Sequence, residues 1–185
     1  MVNIGRKPDG IDATNCEPRR WRHKNAYWTN AMGSFTSLNY HIIFGTRYRK
    51  PTISDSVADE LYRYCASVLN TNNGIGIQIN GTTDHVHILC SIAANTSVAD
   101  IVRLVKSNSS KWMNEQRGRT SRFQWQTGYA AFTVSYSNID VVRRYVQNQQ
   151  EHHAKRSFRD EYIAFLKKHN VQFDMKYLFE DEHVG

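Results

Sequence analysis

Two histidines one residue apart, His85 and His87, stand inside the run Asp84-His85-Val86-His87-Ile88-Leu89-Cys90. The run reads as a β-strand. Side chains alternate faces along a strand, so both imidazoles share one face, about 7 Å apart along the backbone, while Val86, Ile88 and Cys90 face a core. Such a strand offers a divalent metal two nitrogen ligands on a rigid platform. The same pattern suits two ordinary polar residues on the open face of an antiparallel sheet. Further along, Tyr145 and Gln149 are four apart in a helical stretch, hence one turn apart on a common face. A tyrosine hydroxyl attacks a phosphodiester once a nearby cation or base lowers its pKa from about 10. A metal on His85 and His87 would polarise the phosphate, and the Gln149 amide oxygen offers a third ligand. The plain alternatives are a boundary tyrosine with its hydroxyl in water and a surface glutamine. His152 and His153 follow, either as further ligands or as residues suited to a helix C-terminus.

Charge indicates what such a site would act on. Among 185 residues, 24 Lys and Arg face 17 Asp and Glu, for a net charge of +7. That balance favours a polyanion, nucleic acid before an anionic membrane. Arg47-Tyr48-Arg49-Lys50-Pro51 closes a strand and suits phosphate contacts, or simply a soluble turn. Lys106 and Lys111, with Arg103, Ser107 and Ser110, share a helix face where small hydroxyls and cations admit phosphates. No apolar run approaches the roughly 18 residues that cross a bilayer. The N-terminus lacks a secretory apolar segment, and Cys16, Cys65 and Cys90 form no CxxC motif. A reduced cytoplasmic setting is the default.

The elements that must position these residues follow from periodicity and caps. Leu38 to Thr46 is a strand by its β-branched and aromatic content. Ser56-Val57-Ala58-Asp59 opens a helix to about Asn70, and Asn72-Asn73-Gly74 breaks it. Ile75 to Asn80 alternates as a strand and hairpins into the histidine strand. Ser97 opens a second helix with Val98, Ile101, Val102, Val105, Trp112 and Met113 on its buried face. Residues 114–124 read as a flexible loop. Ala130 to Tyr136 is a strand, Ser137 to His153 one helix, and Ser157 to His169 another. The order βαββαβ predicts an α+β fold, a ferredoxin-like (split βαβ) antiparallel sheet with packed helices. Residues 1–33 read as a flexible N-terminal extension with a basic stretch, Arg19 to Lys24, and Met32 as an alternative start.

Several of these stretches, in this order, resemble one family. Asp84 to Leu89 is similar to the histidine–hydrophobic–histidine (HUH) signature. Tyr40 to Arg49 resembles the first strand of the single-tyrosine HUH transposases of bacterial insertion sequences. Lys106 to Lys111, Trp125 to Tyr129 and Tyr145 to Gln149 resemble their later helix, strand and nucleophile helix. The stretch from about 154 to 180 is similar to REP-associated members. The resemblance implies a catalytic domain over 34–153, followed by a C-terminal helical tail over 154–185. It implies that the protein cuts and rejoins single-stranded DNA, with Tyr145 as nucleophile and a 5′-phosphotyrosine intermediate. His85, His87 and Gln149 would bind Mg²⁺ or Mn²⁺. Arg47, Arg49, Lys50, Lys106 and Lys111 would hold the DNA. DNA hairpins would be recognised by a homodimer. Two other readings stand beside it: a domesticated nucleic-acid-binding protein of the same fold that does not cut, and a zinc hydrolase built on the histidine pair.

Overall fold

The computed structural model describes residues 35–116, 121–153 and 157–178. Cys16, the basic stretch Arg19 to Lys24 and Met32 lie outside the described residues. The order is β1 (Asn39–Gly45), α1 (Asp55–Thr71), β2 (Gly74–Gly81), β3 (His85–Ile92), α2 (Val98–Glu115), β4 (Ala130–Val134), α3 (Ile139–Gln147), α4 (Gln149–His153), α5 (Phe158–Lys168) and α6 (Met175–Leu178). The strands form one sheet in the order β2-β3-β1-β4, antiparallel at every pairing. β3 therefore inserts between β1 and β2, which is the predicted split βαβ arrangement.

Alternation on the central strands builds two layers. Ile42 and Phe44 of β1 and Val86, Ile88 and Cys90 of β3 join Leu61, Cys65 and Leu69 of α1 and Val102, Val105 and Met113 of α2 in the main core. Each large aliphatic side chain buried there contributes on the order of 1.5–3 kcal/mol. The polar atoms of this layer are matched: Trp125 Nε1 donates to Ser109 Oγ at 2.9 Å, and Ser109 Oγ donates to the Val105 carbonyl at 2.6 Å. On the opposite face, Ile43, Ala130 and Phe132 meet Phe158, Tyr162 and Leu166 of α5. Leu89 and Val134 meet Val146 of α3. The stretch read as a C-terminal helical tail thus packs on the face that carries His85 and His87. At the turn into β3, a Cβ on Gly81 would collide with the His85 carbonyl oxygen, so only glycine fits.

Three local expectations change. The first helix begins at Asp55 with Ser54 as its N-cap, two residues before the Ser56 start read from the capping pattern. Residues 114–124 are not loop throughout. α2 runs to Glu115, and Asn114 holds the returning chain by accepting from Phe123 N at 2.7 Å and donating to Phe123 O at 3.0 Å. Phe123 is thereby carried into the core. The segment expected as one helix over 137–153 is two, because Asn148 leaves helical geometry at φ −100°, ψ 27°. Asparagine is a weak helix former whose amide competes with the backbone ladder. By contrast, Ser97 and Ser157 cap α2 and α5 as predicted, accepting from Asp100 N and Asp160 N.

Candidate metal and nucleophile site

Parity and register decide what surrounds the two histidines. β1 pairs with β3 so that Ile43 faces His87 and Gly45 faces His85, with His41 on the same side one pair further along. His41 Nε2 lies 2.9 Å from His87 Nδ1, and the two rings stack with centroids 5.1 Å apart. His85 Nδ1 lies 2.8 Å from Asp84 Oδ1 and 2.8 Å from Thr82 Oγ1. A carboxylate only accepts, so His85 carries its proton on Nδ1 and presents the Nε2 lone pair. His87 Nδ1 and His41 Nε2 share one proton, which either ring nitrogen can carry. Both Nε2 atoms are buried and have no hydrogen-bond partner. Partners on Nδ1 that leave Nε2 bare are how proteins orient imidazole ligands toward a metal.

Asp84 is itself anchored. Its Oδ2 pairs with Arg49, and the Arg49 guanidinium lies 3.6 Å from the centre of the Phe158 ring on α5. A Cβ at Gly45 would sit 2.8 Å from Arg49 Nη1, so glycine gives the guanidinium its path. The chain after β1, the turn before β3 and the C-terminal helix are thus locked at one point.

Two further side chains converge on the histidines. His153 ends α4 and Glu161 lies in the first turn of α5. Glu161 Oε2 is 3.0 Å from His153 Nε2 and 3.5 Å from His87 Nε2. The ligand atoms of His85, His87, His153 and Glu161 all lie within 4.8 Å of one another, so this cluster could hold a metal ion. Electrostatics agree with neutral imidazoles. Burial, only partly offset by Asp84, pulls His85 down to about 4. Burial and the neighbouring histidines push His87 well below its ordinary value. Burial brings His41 to about 3. Burial raises Glu161 to about 7 despite Arg49.

Tyr145 stands beside this cluster. Its ring lies 5.9 Å from those of His87 and His41 and 5.5 Å from Phe165. Its hydroxyl is buried with no hydrogen-bond partner. Gln149 is fully buried; its Nε2 donates to the Tyr145 carbonyl at 3.2 Å, and its Oε1 has no partner. The two residues sit on either side of the Asn148 break, not on one continuous helix.

The basic residues do not form one surface. Arg49 belongs to the histidine site. Arg47 donates to Gln124 Oε1 at 3.1 Å, and both Arg47 and Lys50 lie over the Tyr48 ring. Lys106 donates to the carbonyls of Thr127 and Gly128 at 2.9 and 3.1 Å, tying α2 to the segment before β4. Lys111 is exposed beside Glu115. Lys106 and Lys111 line an open groove of about 630 Å³ with Arg103, Ser110, Arg122 and Trp125. It opens in the α1–α2 layer, across the sheet from the histidines.

Sequence reasoning missed His41 and Glu161. His41 shares strand parity with Ile43, but only the β1–β3 register puts it against His87. Glu161 looks like any acidic residue in a helix first turn, and nothing local distinguishes it.

Comparison with known proteins gives the family of the chain. Residues 34–149 match the family described as Transposase IS200 like. Over 124 residues the chain is 25% identical to the ISDra2 transposase TnpA of Deinococcus radiodurans, covering 64% of this chain and 89% of that protein. A crystal structure assigned as a transposase from Deinococcus radiodurans R1 superposes with a TM-score of 0.51 at 25% identity, over 65% of this chain and 96% of that one. A REP-associated tyrosine transposase bound to a REP hairpin superposes with a TM-score of 0.46 at 10% identity, over 76% of each chain. The family match includes His85, His87, Tyr145 and Gln149 and stops short of His153 and Glu161.

Proposed function

The chain belongs to the IS200-like transposase family, and from that premise we propose that it cleaves and rejoins single-stranded DNA through a covalent bond to Tyr145. The observation that carries this reading is the packing of the Tyr145 ring against His87, beside two histidine Nε2 atoms that have no hydrogen-bond partner. In the proposed step, Tyr145 Oη bonds to the phosphorus as the bond to the 3′ oxygen breaks. The tyrosine loses its proton and the departing 3′ oxygen gains one. The products are a 5′-phosphotyrosine and a free 3′-hydroxyl. Reversal on another 3′-hydroxyl rejoins the strand, and the covalent bond conserves the energy for it, so no ATP is needed.

His85, His87 and Gln149 would hold a divalent ion, Mg²⁺ or Mn²⁺. Bound there, the ion supplies Lewis-acid stabilisation of the phosphoryl oxygens. The bare Nε2 atoms and the unpartnered Gln149 Oε1 fit that role. Imidazole nitrogen suits Mn²⁺ at least as well as Mg²⁺. His41 and Asp84 orient the two imidazoles. Lys111 and the α2 groove would contact the DNA backbone, with Arg47 and Lys50 at the end of β1. The functional form would be a homodimer acting on DNA hairpins in the cytoplasm. Among the described residues no helix is long and apolar enough to cross a membrane.

The test incubates the protein with single-stranded DNA from its own gene's flanks and Mn²⁺. An SDS-resistant adduct, absent in Tyr145→Phe, is expected. DNA binding without any adduct in the wild type would favour the non-cutting alternative.

A further inference from the structure

We propose that His153 and Glu161 are metal ligands that take the place given above to Gln149, so that this chain binds a transition-metal ion with three imidazoles and one carboxylate. The inference deepens the reading above and rests on it for an ion at His85 and His87. Both added residues lie beyond the 34–149 stretch matched to the family, so they are a property of this chain's C-terminal segment.

Four ligand atoms converge here, His85 Nε2, His87 Nε2, His153 Nε2 and Glu161 Oε2, all within 4.8 Å of one another. His85 Nε2 is a lone-pair site because its Nδ1 faces the Asp84 carboxylate, and His87 Nε2 is buried with no hydrogen-bond partner. Glu161 Oε2 is buried and makes no hydrogen bond, although His153 Nε2 and His87 Nε2 lie 3.0 and 3.5 Å away. A carboxylate and imidazole lone pairs at such distances repel unless a metal ion or a proton lies between them. Donors about 2.1 Å from a tetrahedral ion are about 3.4 Å apart, close to the separations at Glu161. The competing arrangement is a proton shared between Glu161 and His153, with no ion.

Local structure explains how the pair arrives. The break at Asn148 starts α4 on a new course, and of the adjacent histidines it is His153 that turns inward while His152 stays exposed. Ser157 caps α5, and Phe158, Tyr162 and Leu166 pin that helix to the sheet, bringing Glu161 against His87. Arg49 over Phe158 fixes the same end of α5. A set of three nitrogens and one oxygen favours Zn²⁺, Co²⁺ or Mn²⁺ over Mg²⁺, which prefers oxygen donors.

The experiment titrates the metal-stripped full chain with Co²⁺, without DNA, and follows its visible d–d absorption. Glu161→Gln and His153→Asn should each weaken Co²⁺ binding at least about tenfold and change the spectrum, while His152→Asn leaves both unchanged. A large excess of Mg²⁺ should leave the Co²⁺ spectrum in place. X-ray absorption of the wild-type cobalt form needs no variant, and should show three imidazoles. Two imidazoles, or wild-type affinity and spectrum in both Glu161→Gln and His153→Asn, would overturn the ligand set and leave the shared proton. An adduct formed by the wild type alongside that result keeps the strand-transfer chemistry and removes only this inference. A three-imidazole spectrum with no adduct does the reverse.

Discussion

The two faces of the sheet are built from alternate residues of the same strands and have opposite characters. Toward α1 and α2, β3 sends Val86, Ile88 and Cys90 into one continuous apolar core. Toward α3, α4 and α5 it sends His85, His87 and Leu89, and apolar packing there divides into two smaller clusters flanking the histidines. The first face has its buried polar atoms matched, as at Ser109 and Trp125. The second holds buried atoms of His85, His87, Tyr145, Gln149 and Glu161 that make no hydrogen bond. An unsatisfied buried polar group costs on the order of 1–3 kcal/mol. One face therefore supplies the stability that lets the other keep groups ready for a ligand.

If that division holds, changes on the two faces should separate cleanly. The largest effect expected is at Tyr145. Tyr145→Phe should lower adduct formation at least about a thousandfold, because no other nucleophile takes its place. Its hydroxyl has no partner to lose, so Tm should stay within a degree or two. A gel of SDS-resistant adduct and a melting curve read both, and a large fall in Tm would blur the division. On the other face, Ile88→Ala should cost about 2–4 kcal/mol by opening a cavity in the main core. Denaturant unfolding measures it, and Co²⁺ affinity in the folded protein should be unchanged.

Next in size is His41→Phe, which fills the space but removes the bond to His87 Nδ1. Metal affinity should fall roughly tenfold with the circular dichroism spectrum retained. Unchanged affinity would deny His41 its orienting role.

Acid should discriminate between the faces too. In metal-free protein, His41 and His85 have folded values of about 3 and about 4, below their ordinary 6.5. Their contribution to stability is complete above 6.5 and is lost as pH falls through those folded values. Glu161 works the other way: its folded value of about 7 lies above the ordinary 4.5, so its contribution is complete below 4.5 and is lost as pH rises through 7. His87 is lowered as well, so the three histidines outweigh the one raised group between these limits. Tm in EDTA should therefore fall by roughly 5–10 °C from pH 6.5 to 4.5. Glu161→Gln should steepen that fall, and a flat profile would contradict the burial of the histidines. The smallest effect concerns the groove of the α1–α2 layer. Lys111→Ala should weaken DNA binding a few-fold and reduce the salt slope by about 1, without altering metal affinity.

Much of the architecture was legible in the sequence because strand alternation and helix capping are local. A period of two put His85 and His87 on one face whatever packed there. Ser97 with Asp100 and Ser157 with Asp160 marked two helix starts. The order of elements pointed to the split βαβ sheet. The break at Asn148 was not legible, because it is a small backbone departure within a pattern that stays helical on both sides. Residue types alone also gave no sign that Arg49 pairs with Asp84 or that Lys106 donates to the carbonyls of Thr127 and Gly128.

Only the tertiary structure decided the company the histidines keep. His41 reaches His87 through the register of β1 against β3, which is set by burial summed over both strands. His153 reaches the cluster through a change of helix direction, and Glu161 through the docking of α5 by Phe158, Tyr162 and Leu166. Those placements depend on side chains far apart in sequence. The chain's own spacing therefore determined that two imidazoles would share a face, and long-range packing determined which groups would meet them there.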